Sequence, residues 1–283
     1  MWYIFVFINK SYWKSILSPV MSFIFPILYV AIIGGVYSIL GQLNPTVILP
    51  EAWSIGIMIT TLLCLPQMIH EMRHSIMMKR LGISKYKPWM FYSILVLFFL
   101  VINFVSYLCL IATSYLVLIN NVSFLNDLLI HASAWEVVYA LFMTFVMSLS
   151  IGLFLASVCK TPMQIWISGI IILLVSMLLS GMIVPIVLVY PNITYRIFTL
   201  ISPYSYTNSM LTESWFWGQM QYNTLSSSIF QPGTEHLSAI AYSFGRPSVI
   251  LQSWQKWMNL IVPPLITIVF MFVSLIRLKF NYK

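Results

Sequence analysis

Apolar positions along the chain gather into long unbroken runs instead of alternating with polar ones. Marking every Asp, Glu, Lys and Arg leaves six long, predominantly apolar windows, 15–50, 52–70, 88–126, 136–159 (with Glu136 as its boundary), 161–195 and 257–276. Each holds an apolar core of roughly 18 to 25 residues, the length a helix needs to cross a hydrocarbon layer of ~30 Å. Lipid offers no partner to a free backbone group, and the alternation of a barrel strand is missing, so the windows predict helices. The expected fold is an all-α integral membrane protein with six transmembrane helices.

Composition agrees: 60% of the residues are hydrophobic, 16% aromatic and only 7% charged, which a water-soluble domain of 283 residues has no core to bury. The few charges are unevenly placed. With six spans both termini share a side, and that side receives Lys10, Lys14, Arg73, Lys79, Arg80, Lys85, Lys87, Lys160, Arg277, Lys279 and Lys283, eleven of the fourteen basic residues. Arg196, Arg246 and Lys256 remain opposite, with Glu51, Asp127, Glu136, Glu213 and Glu235; only Glu71 joins the basic side. The positive-inside rule puts that side and both termini in the cytoplasm, expected here to be that of a bacterium with the chain in its plasma membrane. The net charge of +8 is thereby read as topology and not as nucleic-acid binding.

The opening "MWYIFVFINK" has no basic residue before its apolar run and no small-residue cleavage site after it, unlike a signal peptide. Residues 1–18 are expected to form an interfacial helix, with Trp2, Tyr3, Tyr12 and Trp13 at headgroup depth and Lys10 and Lys14 against anionic lipid. Links 41–51 and 119–135 are short and external, "KTP" at 160–162 joins the fourth and fifth spans, and 191–256 is an external segment rich in Ser, Thr, Asn, Gln and Tyr.

Candidate chemistry is mostly excluded. All six carboxylates lie in loops or at span boundaries, whereas ion-coupled transporters place ionisable groups within the membrane. Neither HExxH, GxSxG nor a carboxylate pair within one span is present, so no catalytic residue is expected. His70 and His74 stand one helical turn apart without a third ligand, and Cys64, Cys109 and Cys159 lie one per span, so no metal site and no disulfide framework is expected. Without GxxxxGK[ST], the chain cannot itself cradle ATP.

One loop remains conspicuous. Residues 70–88 carry five basic residues after the single acid Glu71. The segment "HEMRHSIMMKRLGIS" resembles the E-R-E-x-G-x-x-K-R-L-x-x-T-P-x-S loop after the second span in membrane subunits of ATP-binding-cassette transporters of the type-2 exporter class. Downstream, Ser180, Gly181, Pro185, Pro191, Pro203 and Tyr204 or Tyr206 are similar to that family's second hallmark, a span ending in S-G-x-x-x-P followed by a P-x-W type segment and then P-x-x-Y. The chain departs from the pattern at His74 and Ser75, with no Gly before Gly82, and at Asn192 and Ile193, where a Trp is usual.

The resemblance implies a single permease domain, 1–283, that dimerises with itself or a similar permease and docks cytoplasmic ATPase subunits. ATP and Mg would be bound by those partner subunits and not by this chain. Glu71, Arg73, Lys79, Arg80 and Leu81 would couple to the ATPase; Ser180, Gly181, Pro185, Pro191 and Pro203 would form a helix break or external gate. Thr60, Thr61, Cys64, Trp166, Met177 and Ser180 are expected, from position only, along a pathway for an amphipathic or hydrophobic cargo such as a lipid, drug or peptide. The alternative is a non-transporting anchor or signalling subunit that recruits a cytosolic partner through the same loop. A lipid-modifying enzyme using Glu213 or His236 has little support, since nothing brings the two together.

Overall fold

The computed structural model of the chain describes residues 2–40, 49–73, 88–117, 133–180, 182–183, 198–222 and 253–277. Among them there is no strand, and six helices are long and apolar enough to cross a membrane: Leu17–Val36, Ala52–Met72, Phe91–Val117, Ala134–Val158, Pro162–Leu179 and Trp257–Ser274. These are called the first to sixth spans below.

The spans are far from equivalent. Of the second span's apolar stretch 94% is buried within the chain, against 22% for the first and the sixth and 28% for the fifth. The second span is therefore the axis of the subunit, and the other spans present wide apolar faces outward. In lipid no hydrophobic force separates core from surface, so close backbone approach decides which helix sits centrally. Glycines permit that approach from both sides. A Cβ on Gly56 would lie 2.9 Å from Leu110 Cδ1 of the third span. One on Gly152 of the fourth span would lie 2.5 Å from the Thr61 carbonyl oxygen, and one on Gly169 of the fifth 2.6 Å from Leu63 Cδ2.

Two spans contain a widened π turn, Val20–Ile24 in the first and Thr60–Cys64 in the second, and each is followed two residues later by a proline, Pro26 and Pro66. A proline ring inside a helix collides with the carbonyl four residues back and cannot donate to it; the wider turn relieves that crowding. The carbonyl one turn before Pro26, that of Ser22, accepts instead from Ser106 Oγ of the third span at 2.7 Å. The sixth span repeats the device. Its helix carries Pro263 and Pro264, and the Leu260 carbonyl, four residues before Pro264, accepts from Tyr139 OH of the fourth span at 2.8 Å. A backbone group freed at membrane depth is thus taken by a neighbouring helix.

At one end of the bundle the N-terminal helix Trp2–Lys14 buries Ile4, Ile8 and Tyr12, spaced four apart on one face, in a cluster with Met68, Met72, Phe91, Leu95, Phe98 and Ala156. Phe98 meets both Phe5 and Tyr12 edge to face. Burial pushes the Tyr12 hydroxyl well above its ordinary range, so it stays a neutral donor near the Ser18 carbonyl. This end also carries Lys10, Lys14 and Lys160 and is called the basic end. At the opposite end Val30, Ala52, Trp53, Leu110, Val137, Ala140 and Leu211 pack together, and Trp53 Nε1 donates to Ser114 Oγ at 2.8 Å.

Residues 191–256 are read from sequence as lying outside the spans. The helix Pro203–Tyr222 within that segment is packed into the bundle, against the second, fourth and sixth spans. Its start lies at the middle of the fourth span, where Tyr204 adjoins Ser148, and ten residues, ~15 Å, further on the Ser214 carbonyl accepts from Ser133 N just ahead of that span. The helix therefore climbs beside the fourth span, antiparallel to it, from mid-bundle to the end opposite the basic one. Its polar residues are accommodated internally: Ser205, Thr207, Ser209 and Ser214 each donate to a carbonyl three residues back.

Candidate functional site

Two places hold the candidate residues: the basic end of the second span, and the point where the fifth helix stops. At the basic end the second span continues through Leu65–Arg73. Glu71 is exposed there and accepts from Gln67 Nε2 at 2.9 Å, while His70 and Met72 on the other face are buried. Arg73 ends the helix, and Lys79, Arg80 and Leu81 lie outside the described residues.

Thr60, Thr61 and Cys64 occupy the π turn of the second span and are wholly buried inside the subunit. Thr60 Oγ1 donates to the Gly56 carbonyl at 2.7 Å and Thr61 Oγ1 to that of Ile57, which consumes both hydroxyls on their own helix. Cys64 Sγ stands 3.6 Å from the Ser18 carbonyl and 3.7 Å from Ser22 Oγ, facing the π turn of the first span. All three thus face neighbouring spans of the same chain. Trp166 is half-buried on the fifth span and Met177 buried beside Met147, Ile151 and Leu173, while Met163, Ile167, Ile171 and Leu174 of the same helix form an exposed apolar face.

The fifth helix begins at Pro162 with Thr161 as its N-cap, Thr161 Oγ1 accepting from Gln164 N at 3.3 Å. It ends at Leu179, with Ser180 as the C-cap. A helix end leaves carbonyls without a donor, and here they fall among buried side chains. Asn208 Nδ2, from the helix Pro203–Tyr222, donates to the Ser180 carbonyl at 3.1 Å, and Tyr29 OH, from the first span, donates to the Met182 carbonyl at 2.7 Å. Asn208 Oδ1 in turn accepts from Ser54 Oγ of the second span at 2.9 Å. Four elements therefore converge where the fifth helix stops. Pro203 stands first in its helix, where a missing N–H costs nothing. Gly181, Pro185 and Pro191 lie outside the described residues.

Sequence reasoning missed Tyr29, Asn208, Ser106 and Tyr139, the side chains that satisfy the freed carbonyls, and Ser54, which donates to the Asn208 amide oxygen. For Ser106 and Tyr139 the signal available was a proline inside a span, Pro26 and Pro264, which announces a carbonyl in need of a donor without saying which helix provides it. Tyr29→Phe is accordingly expected to leave the buried Met182 carbonyl unpaired and to lower stability by about 1–3 kcal/mol, measured as a fall in the Tm of the purified protein in detergent.

Six apolar spans, the second of them buried at the centre and the fifth ending among partners inside the bundle, define a multi-pass membrane protein. A family model, ABC-2 type transporter, matches residues 1–216, and the chain belongs to that family. It is thus the transmembrane subunit of an ATP-binding-cassette transporter, a family whose permeases partner ATP-binding-cassette subunits. No curated protein and no solved structure matches the chain.

Proposed function

We propose that the chain works as one half of an ATP-driven exporter for an amphipathic or hydrophobic cargo, pairing with a second permease and moving cargo along the interface between them. The observation that carries this reading is the distribution of charge. Within the six spans the only Asp, Glu, Lys or Arg residues are Glu71 and Glu136, each within three residues of a span's end. A path bounded by such helices offers a polar ion no counter-charge, whereas apolar faces such as Met163, Ile167, Ile171 and Leu174 suit an acyl chain, a drug or an apolar peptide.

In this reading the basic end is cytoplasmic and the N-terminal helix lies in the headgroup layer, with exposed Tyr3 and Trp13 at that depth. The stretch from Glu71 to Leu81 receives the push of the closing ATPase subunits, its charges setting docking register more than affinity. The second span, buried throughout, passes that push to the place where the fifth helix stops. ATP and Mg act in the partner subunit.

The test is reconstitution of the permease with its ATPase subunit in proteoliposomes. Phospholipids, lipophilic drugs and apolar peptides are expected to stimulate ATP hydrolysis and to be translocated. Translocation of a small hydrophilic ion, with no stimulation by any amphipathic compound, would contradict the proposal.

A further inference from the structure

We infer that Asn208 is a positioning residue, a latch whose two hydrogen bonds hold the helix Pro203–Tyr222 closed against the second and fifth spans and must break for the pathway to open. The inference rests on the export reading above, and it concerns contacts made by this chain alone. The Asn208 amide is used at both ends: its oxygen accepts from Ser54 Oγ at 2.9 Å, and its nitrogen donates to the Ser180 carbonyl at 3.1 Å. One side chain therefore ties three elements that are distant in sequence. All three residues are fully buried, so neither bond competes with solvent in the closed arrangement.

The groups around the latch are unusual in the opposite sense. Among the described residues, four buried hydroxyls of this neighbourhood have no hydrogen-bond partner: Ser148 Oγ, Ser180 Oγ, Ser202 Oγ and Tyr204 OH. Ser180 supplies the carbonyl that Asn208 holds. Tyr204 lies one turn before Asn208 on the same helix face and beside Ser148, without the two hydroxyls meeting in bonding geometry. Ser202 immediately precedes the helix. Buried hydroxyls normally find partners. Four idle ones at the start of this helix and on the residues beside it mean that the closed packing leaves donors and acceptors in reserve. A shift of the helix that breaks the Asn208 bonds brings these hydroxyls past new partners, so the polar cost of opening is offset locally.

The test uses the full chain, purified in lipid nanodiscs, with Ser180→Cys as a probe whose own hydroxyl makes no bond. A water-soluble maleimide is added, and labelling at position 180 and at the native buried Cys64 is followed separately by mass spectrometry. Asn208→Leu keeps the shape and removes both bonds; it is expected to speed labelling at 180 by about tenfold or more, with labelling of Cys64 unchanged. Ser54→Ala, which removes one bond and little volume, is expected to give a smaller rise, about two- to tenfold. Unchanged labelling at 180 in both variants would overturn the latch. Equal acceleration at 180 and at Cys64 would overturn it too, since the effect would then be general loosening. Failure of the export reading would appear instead as absent transport with the labelling pattern intact.

Discussion

Gly152→Ala is expected to destabilise the protein by about 1–3 kcal/mol, and Gly152→Val to prevent assembly of the native bundle. The added Cβ of the alanine would sit 2.5 Å from the Thr61 carbonyl oxygen, a backbone atom of the central span that cannot swing aside. The fourth span would have to withdraw. It packs most extensively against the sixth span and also holds the helix Pro203–Tyr222, so both would move with it. The same substitution elsewhere has a different outcome. At Gly169 the nearest atom is the end of the flexible Leu63 side chain, and a smaller loss is expected. At Gly35 nothing lies within 4 Å, and Gly35→Ala is expected to be neutral or to gain up to about 1 kcal/mol from helix propensity. Thermal unfolding of the three purified variants in one detergent checks the ranking. A Gly152→Ala protein as stable as Gly35→Ala would mean that the second span is not the tightly packed axis described.

Much of the fold was legible because the membrane allows so few solutions. The uncharged window 52–70 became the span Ala52–Met72, and 257–276 became Trp257–Ser274, because charge exclusion and helix length act on the sequence directly. What hydropathy does not encode is which helix lies in the middle. The second span has the lowest mean hydropathy of the six, 1.6 against 2.8 for the third, yet it is the most buried. Its place is set by the close approaches at Gly56, Gly152 and Gly169, which carry little weight in a sum of apolarity.

The packing of the helix Pro203–Tyr222 is hard to read from sequence for a related reason. Ser205, Thr207, Asn208 and Ser214 count toward water in any hydropathy average, whereas in the bundle each of them finds a partner within reach. The stop of the fifth helix was legible in the punctuation near Ser180, whereas nothing local marks the lone Tyr29 or Asn208 that supplies the compensating bond. Pairing over 153 and 28 residues of sequence leaves no local pattern to read.

The second large effect concerns coupling to the ATPase. Glu71→Ala combined with Arg73→Ala is expected to abolish association with the ATPase subunit while leaving the fold intact. Glu71 is exposed, and its bond to Gln67 is a pair within one helical turn, of the kind worth only about 0.2–0.5 kcal/mol. Loss of binding could not then be ascribed to unfolding, which the Tm of the double variant would show to be nearly unchanged. The measurement is copurification from detergent-solubilised native membranes of the unaltered chain and of the double variant. An ATPase subunit bearing a Walker A loop, recovered with the unaltered chain and lost from the folded double variant, is the result expected of an ATP-driven permease coupled through the end of its second span. Clean recovery of the unaltered chain with no ATPase subunit would contradict it.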